Sequence, residues 1–249
     1  MSPLRLSSIS SAGKGIELGQ GALYPVGLKI LDRLCVVIGG GVVATRKIEG
    51  LLACGAQVRV ISPELDERIV EMVQAGQVEW LARGYKVGDL VGAFLAFAAT
   101  DRPEIQGQVV QEAERLGGLL NVADAPEQCS FQLPAQVRNG DLLLTVATGG
   151  NSPALAATIR AELEQNYGPE YGLLINLMGR IRRQVVVDQE EQDVHRRLFH
   201  DILQTSVLQA LREQNWELLR QELGRVLPAS IDWEHLVSGL QQQGGNPES

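Results

Sequence analysis

The stretch LCVVIGGGVVA, residues 34–44, is an uncharged run broken by three glycines and resumed as the start of a helical pattern. Leu34–Ile38 suits a parallel strand buried on both faces. Gly39, Gly41 and Ala44 fill a G-x-G-x-x-A frame. The first glycine permits a tight turn, the second lets the backbone approach a pyrophosphate, and the small third residue lets the helix pack closely on its strand. Free amides and the helix dipole then favour phosphate charge. The competing reading is a glycine-rich turn that holds no ligand.

Outward from this turn, strands and helices alternate. Residues 42–54 read as a helix with Ala44, Ile48, Leu51 and Leu52 on one face and Gly55 placed to cap it. Gln57–Ile61 reads as a strand, 65–75 as a helix, Val78–Leu81 as a short strand and 93–98 as a buried strand. Pro103 suits the first turn of a helix that Gly117-Gly118 stops, and Leu119–Val122 follows as a strand. This order predicts an α/β fold with a Rossmann-type doubly wound parallel sheet.

After Asp124 the pattern changes. Runs 131–137 and 142–147, joined by Arg138-Asn139-Gly140-Asp141, predict an antiparallel β-hairpin, a plausible dimerisation device. Ser152 and Pro153 are placed as N-cap and first residue of a helix bearing Leu155, Ile159 and Leu163. A second helix carries Tyr171, Leu174, Ile175, Met178, Ile181 and Val185 at three/four spacing. The chain reads as helical from 193 to 240. The predicted organisation is a flexible extension (1–22), a nucleotide-binding domain (23–124), a dimerisation segment (125–150), a small α-helical domain (151–240) and a disordered tail (241–249).

Composition narrows the function classes. In 249 residues the net charge is −8 and aromatics are only 4%, which argues against a nucleic-acid binder. The longest apolar runs fall short of the roughly 20 residues that span a membrane, and the N-terminus lacks a signal-peptide core. Cys35, Cys54 and Cys129 are scattered, so a reducing cytoplasm is the expected location, and Cys129 reads as a small packing residue. His195 and His200 are five apart, poor spacing for one metal, and no metal-ligating set is read.

Three strand ends hold candidate chemistry. Glu64, in ISPEL, lies slightly beyond the position where an acid takes the adenosine ribose, and no arginine cluster awaits a 2′-phosphate, which favours NAD over NADP. Thr100 is placed to face the cofactor, while Asp101 is placed equally well to cap the next helix. Asp124, before Pro126, is either a proton acceptor near a nicotinamide or a turn-closing aspartate. The stretch TGGNSPALA from Thr148 is a second glycine turn that either binds a carboxylate or simply connects.

VVIGGGVVATRKIEGLLACGAQVRVISPEL, AATD, NVADAP with SFQLPA, and TGGNSPALA follow in that order. Together they resemble the precorrin-2 dehydrogenase/sirohydrochlorin ferrochelatase family, from residue 23 to 183 and more weakly through 195–203. The resemblance implies a homodimer that binds NAD⁺ and oxidises precorrin-2, a polycarboxylated tetrapyrrole, to sirohydrochlorin in siroheme biosynthesis. It matches the family's essential aspartate to Asp124. It matches the dinucleotide contacts to Gly39, Gly40, Gly41, Val42, Val43, Pro63 and Glu64, with Thr100 added by position. Some members also insert Fe²⁺ or Co²⁺ using the same aspartate. Thr148 stands where some members have a phosphorylatable serine. Residues 1–22 have no counterpart, and the expectation is a protein without the separate methyltransferase domain that some homologues fuse to this module, supplied with precorrin-2 by another protein. The rival from another class is an NAD-sensing regulatory module without catalysis.

Overall fold

The computed structural model describes residues 22–185, 192–228 and 231–244. They form two compact units that divide between Leu133 and Pro134. The expected extension (except Ala22), residues 186–191 and 229–230 of the expected helical domain, and the last five residues of the expected tail lie outside the described residues, as does the His195 side chain.

The first unit is a five-stranded parallel sheet. Its strands are β1 (Leu34–Ile38), β2 (Gln57–Ile61), β3 (Val78–Leu81), β4 (Leu95–Ala98) and β5 (Leu119–Val122), in spatial order β3-β2-β1-β4-β5. The chain moves outward from β1 to β3, then returns to the far side of β1 for β4. That reversal opens a crevice at the carboxyl ends of β1 and β4, where ligands of open α/β sheets bind.

Alternation along the strands builds both faces. Cys35 and Val37 pack with Ala44, Ile48 and Leu51 of α1 (Val42–Leu52) and Ile69 of α2 (Glu67–Gln74). Val36 and Ile38 pack with Val109 and Ala113 of α3 (Pro103–Leu116) on the opposite face. Ile48 is fully buried, and such a side chain contributes about 2 kcal/mol. Burial also pushes the Cys35 thiol up to about 11.

Several boundaries differ from the expected ones for local reasons. α1 stops at Leu52 because 53–55 form a turn in which Gly55 takes φ +72°. α2 starts at Glu67, since the Asp66 carboxylate accepts from the Arg68 amide at 3.1 Å and so caps it. β4 starts at Leu95, while Gly117 ends α3 in the left-handed region as the sequence implied.

The second unit begins with an antiparallel hairpin, β6 (Ala135–Asn139) and β7 (Leu142–Val146). β6 starts four residues later than expected because 129–131 spend their hydrogen bonds on β5. The loop is only Gly140-Asp141, with Gly140 at φ +57°. Asn139 belongs to the strand, and its side-chain amide donates to the Tyr167 carbonyl at 2.6 Å. The helices that follow are α4 (Pro153–Asn166), α5 (Pro169–Val185), α6 (Gln192–Gln204), α7 (Val207–Arg212), α8 (Trp216–Val226) and α9 (Trp233–Gly244). Leu177, Ile181, Ile202, Leu219, Leu223 and Leu240 form their shared core. On α4, Leu155 is 51% exposed and Ala156 is buried. One expectation fails here. Gln241–Gly244, expected in the tail, continue α9, because glutamine is a good helix former.

Candidate functional site

The turn after β1 is shaped by close backbone packing. Gly39 has φ +119°, and a Cβ there would overlap the Ala99 carbonyl. A Cβ on Gly40 would overlap the Glu64 carbonyl and stand 2.8 Å from Ser62 Oγ. The Asp66 amide donates to the Gly40 carbonyl at 2.7 Å, and the Gly39 amide to the Ile61 carbonyl at 3.0 Å. The Pro63-Glu64 turn and the Ala99-Thr100 turn are thus both seated against the glycines. This brings the predicted residues 39–43, Pro63, Glu64 and Thr100 together at one edge of the sheet.

Gly41 differs from its neighbours. It is the N-cap of α1, makes no side-chain cap, and nothing stands within 4 Å of where its Cβ would lie. Val42 and Val43 are exposed at 54% and 46%. The first turn of α1 is therefore exposed and has no side-chain capping acceptor, which fits a pyrophosphate held by backbone N–H groups. These residues fit a dinucleotide.

Thr100 is half-buried at the end of β4. Its hydroxyl accepts from the Arg102 amide at 3.3 Å, and its carbonyl accepts from Gln106 Nε2 at 2.7 Å. Asp101, which could equally have capped the next helix, does not: the N-cap is Arg102, no side chain caps α3, and Asp101 is exposed.

Asp124 follows β5, the strand beside β4, and is exposed with φ +62°. Aspartate tolerates this left-handed conformation better than most residues. Its carboxylate makes no hydrogen bond among the described residues and is exposed to solvent.

Sequence reasoning missed the residues behind Asp124. Asn121, on β5, is 8% exposed. Its side-chain amide donates to the Phe131 carbonyl at 3.2 Å, and its Oδ1 accepts from Lys47 Nζ at 3.3 Å. Lys47, on α1, also lies 5.7 Å from the Phe97 ring centroid. Burial pushes its ammonium below the usual lysine range, while Cys129 and Asp124 pull it back. Cys129, read as a packing residue, is also a hydrogen-bonding group: the Val122 amide donates to its Sγ at 3.1 Å. An asparagine inside the apolar run LLNV was the available signal.

The second glycine turn closes on itself. Thr148 Oγ1 donates to the Ser152 carbonyl at 3.1 Å, and Ser152 Oγ accepts from the Leu155 amide at 3.2 Å. Among the described residues, no group of three or more His, Cys, Asp or Glu gathers as a metal site, and no helix is long and apolar enough to cross a membrane.

An open, uncapped phosphate turn at the switch point of a doubly wound sheet defines a dinucleotide-binding protein. Residues 26–135 match a family model described as putative NAD(P)-binding. The chain is 36% identical over 217 residues to the siroheme synthase of Stutzerimonas stutzeri, covering 86% of this chain and 47% of that protein. It is 34% identical over 212 residues to that of Methylobacillus flagellatus, covering 85% and 45%. A solved precorrin-2 dehydrogenase, SirC, superimposes with a TM-score of 0.66 at 28% identity, covering 80% of this chain and 98% of that one. Over most of its own length the chain is thus similar to siroheme synthases and to a precorrin-2 dehydrogenase. It spans about half the length of the siroheme synthases it matches.

Proposed function

We propose that this protein oxidises precorrin-2 to sirohydrochlorin with NAD⁺, with Asp124 as proton acceptor. The observation that carries this reading is one sheet edge presenting both an uncapped turn at Gly41 and an exposed carboxylate at Asp124. NAD⁺, when bound, supplies the hydride acceptor. The chain's own residues do the rest. Gly39, Gly40 and Gly41 shape the turn, Val42 and Val43 lend amides, and Pro63, Glu64 and Thr100 line the crevice. Oxidation removes a hydride and a proton, and the proton passes to the Asp124 carboxylate and on to solvent. Purified protein given precorrin-2 and NAD⁺ forms sirohydrochlorin and NADH together; absence of both removes the reading.

Asp124→Asn separates catalysis from turn closure. The amide keeps an Asx hydrogen bond but is no base, so turnover falls by about two orders of magnitude while NAD⁺ affinity stays normal. Near-normal turnover would return Asp124 to a structural role.

The same carboxylate suits the release of pyrrole protons when Fe²⁺ enters sirohydrochlorin as a substrate, a step tested anaerobically against a protein-free control. We also place two copies in the working molecule. The β6–β7 hairpin is two-stranded and leaves Leu143 42% exposed, and Leu155 is exposed at 51%. Such a ribbon is marginal alone. Sedimentation at micromolar concentration gives a dimer; a monomer removes this part. Three cysteines, none in a disulfide, suit a cytoplasmic setting.

A further inference from the structure

The Asp124 turn needs an external brace. A non-glycine residue at φ +62° persists only where its surroundings hold it. Both ends of the turn are held by 129–131, which returns along the outer edge of β5. The Ser130 amide donates to the Leu120 carbonyl at 2.9 Å, and the Leu120 amide to Ser130 Oγ at 2.7 Å. Cys129 Sγ receives the Val122 amide and lies 3.3 Å from the Val122 carbonyl and 3.4 Å from that of Ala125. Its single proton serves one of these carbonyls at a time. Val122 and Ala125 lie on either side of Asp124.

Asn121 ties this brace to the helix of the phosphate turn. Its Nδ2 group donates to the Phe131 carbonyl and lies 3.6 Å from Cys129 Sγ, while its Oδ1 receives Lys47 of α1. One buried amide thus joins α1 to the segment that holds Asp124. We propose that Asn121 is a positioning residue for the oxidation, setting Asp124 relative to the helix that carries the phosphate turn. This rests on the reading of Asp124 as proton acceptor.

Asn121→Asp is the direct test, because it keeps the size and the acceptor facing Lys47 but loses the donor to Phe131. In the folded variant, kcat for precorrin-2 oxidation falls on the order of tenfold to a hundredfold, with KM for NAD⁺ unchanged. Alkylation of Cys129 by iodoacetamide, followed by peptide mass spectrometry, speeds up at least about fivefold as the brace loosens. Lys47→Met serves if that variant fails to fold. It keeps an unbranched side chain of similar length, removes the ammonium that donates to Asn121 and faces Phe97, and gives smaller changes in the same directions. Unchanged kcat in a folded variant overturns the inference, whether or not Cys129 becomes more reactive. A fall in kcat matched by an equal loss of NAD⁺ affinity also overturns it. Wild-type protein that forms no sirohydrochlorin removes the oxidation reading itself, a result distinct from a working wild type beside an equally working Asn121→Asp.

Discussion

The turns after β1 and after β5 sit at the same edge of one sheet, yet they are held in opposite ways. The first is held by backbone against backbone: Gly39 lies on the Ala99 carbonyl, and Gly40 on that of Glu64. The second is held by side chains, with Cys129, Ser130 and Asn121 supplying the hydrogen bonds. The backbone-packed turn excludes side chains and asks for none. The side-chain-held turn keeps an exposed carboxylate in a conformation it would not choose alone. The first arrangement suits a ligand gripped by amides, and the second suits a functional group that must be aimed.

The largest effect that sharpens this contrast is at Gly39. Gly39→Ala meets both a φ of +119° and the Ala99 carbonyl, so stability falls by about 3 kcal/mol or more in urea denaturation. A variant as stable as wild type would break the account of the first turn. Gly41→Asp comes next. Space is open at Gly41, so the protein folds with stability within about 0.5 kcal/mol of wild type. The added carboxylate nevertheless meets the pyrophosphate, and NAD⁺ affinity falls by about a hundredfold or more in calorimetric titration, the scale of repelling a like charge at a close site. Normal affinity in that folded variant would mean the turn is not the phosphate site.

The same contrast explains what was legible in the sequence. Glycine is visible by its type, and the run before Gly39 with the helix after it placed the first turn correctly. Apolar runs likewise placed all five parallel strands, because inner strands such as β1 and β4 are buried on both faces, while the edge strand β3 leaves Glu79 and Trp80 exposed. The brace around Asp124 was not legible, since Cys129 and Ser130 lie several residues from the strand they satisfy and Lys47 lies 74 positions from Asn121. No local pattern encodes such pairings. The late start of β6 has the same origin: Phe131 looked like strand, but its carbonyl is committed to Asn121. Leu155 is exposed although it shares its spacing with Ile159 and Leu163, because spacing reports an apolar stripe, not what covers it.

The smallest predicted effect tests whether side chains truly replace a strand at the outer edge of β5. Leu120 is 3% exposed, and β5 has no neighbouring strand on that side. Its amide donates to Ser130 Oγ at 2.7 Å. Ser130→Ala removes that acceptor and leaves a largely buried N–H to find water, at a cost of about 1 kcal/mol. The Ser130 amide still donates to the Leu120 carbonyl, so the segment stays in place and the loss remains modest. NAD⁺ affinity is unchanged, because the turn at Gly39, Gly40 and Gly41 draws nothing from Ser130. Ser130→Thr, which keeps the hydroxyl, recovers most of the lost stability. Full stability in Ser130→Ala would show that solvent serves this edge as well as the hydroxyl does, and that the second turn is held less by side chains than the contrast requires.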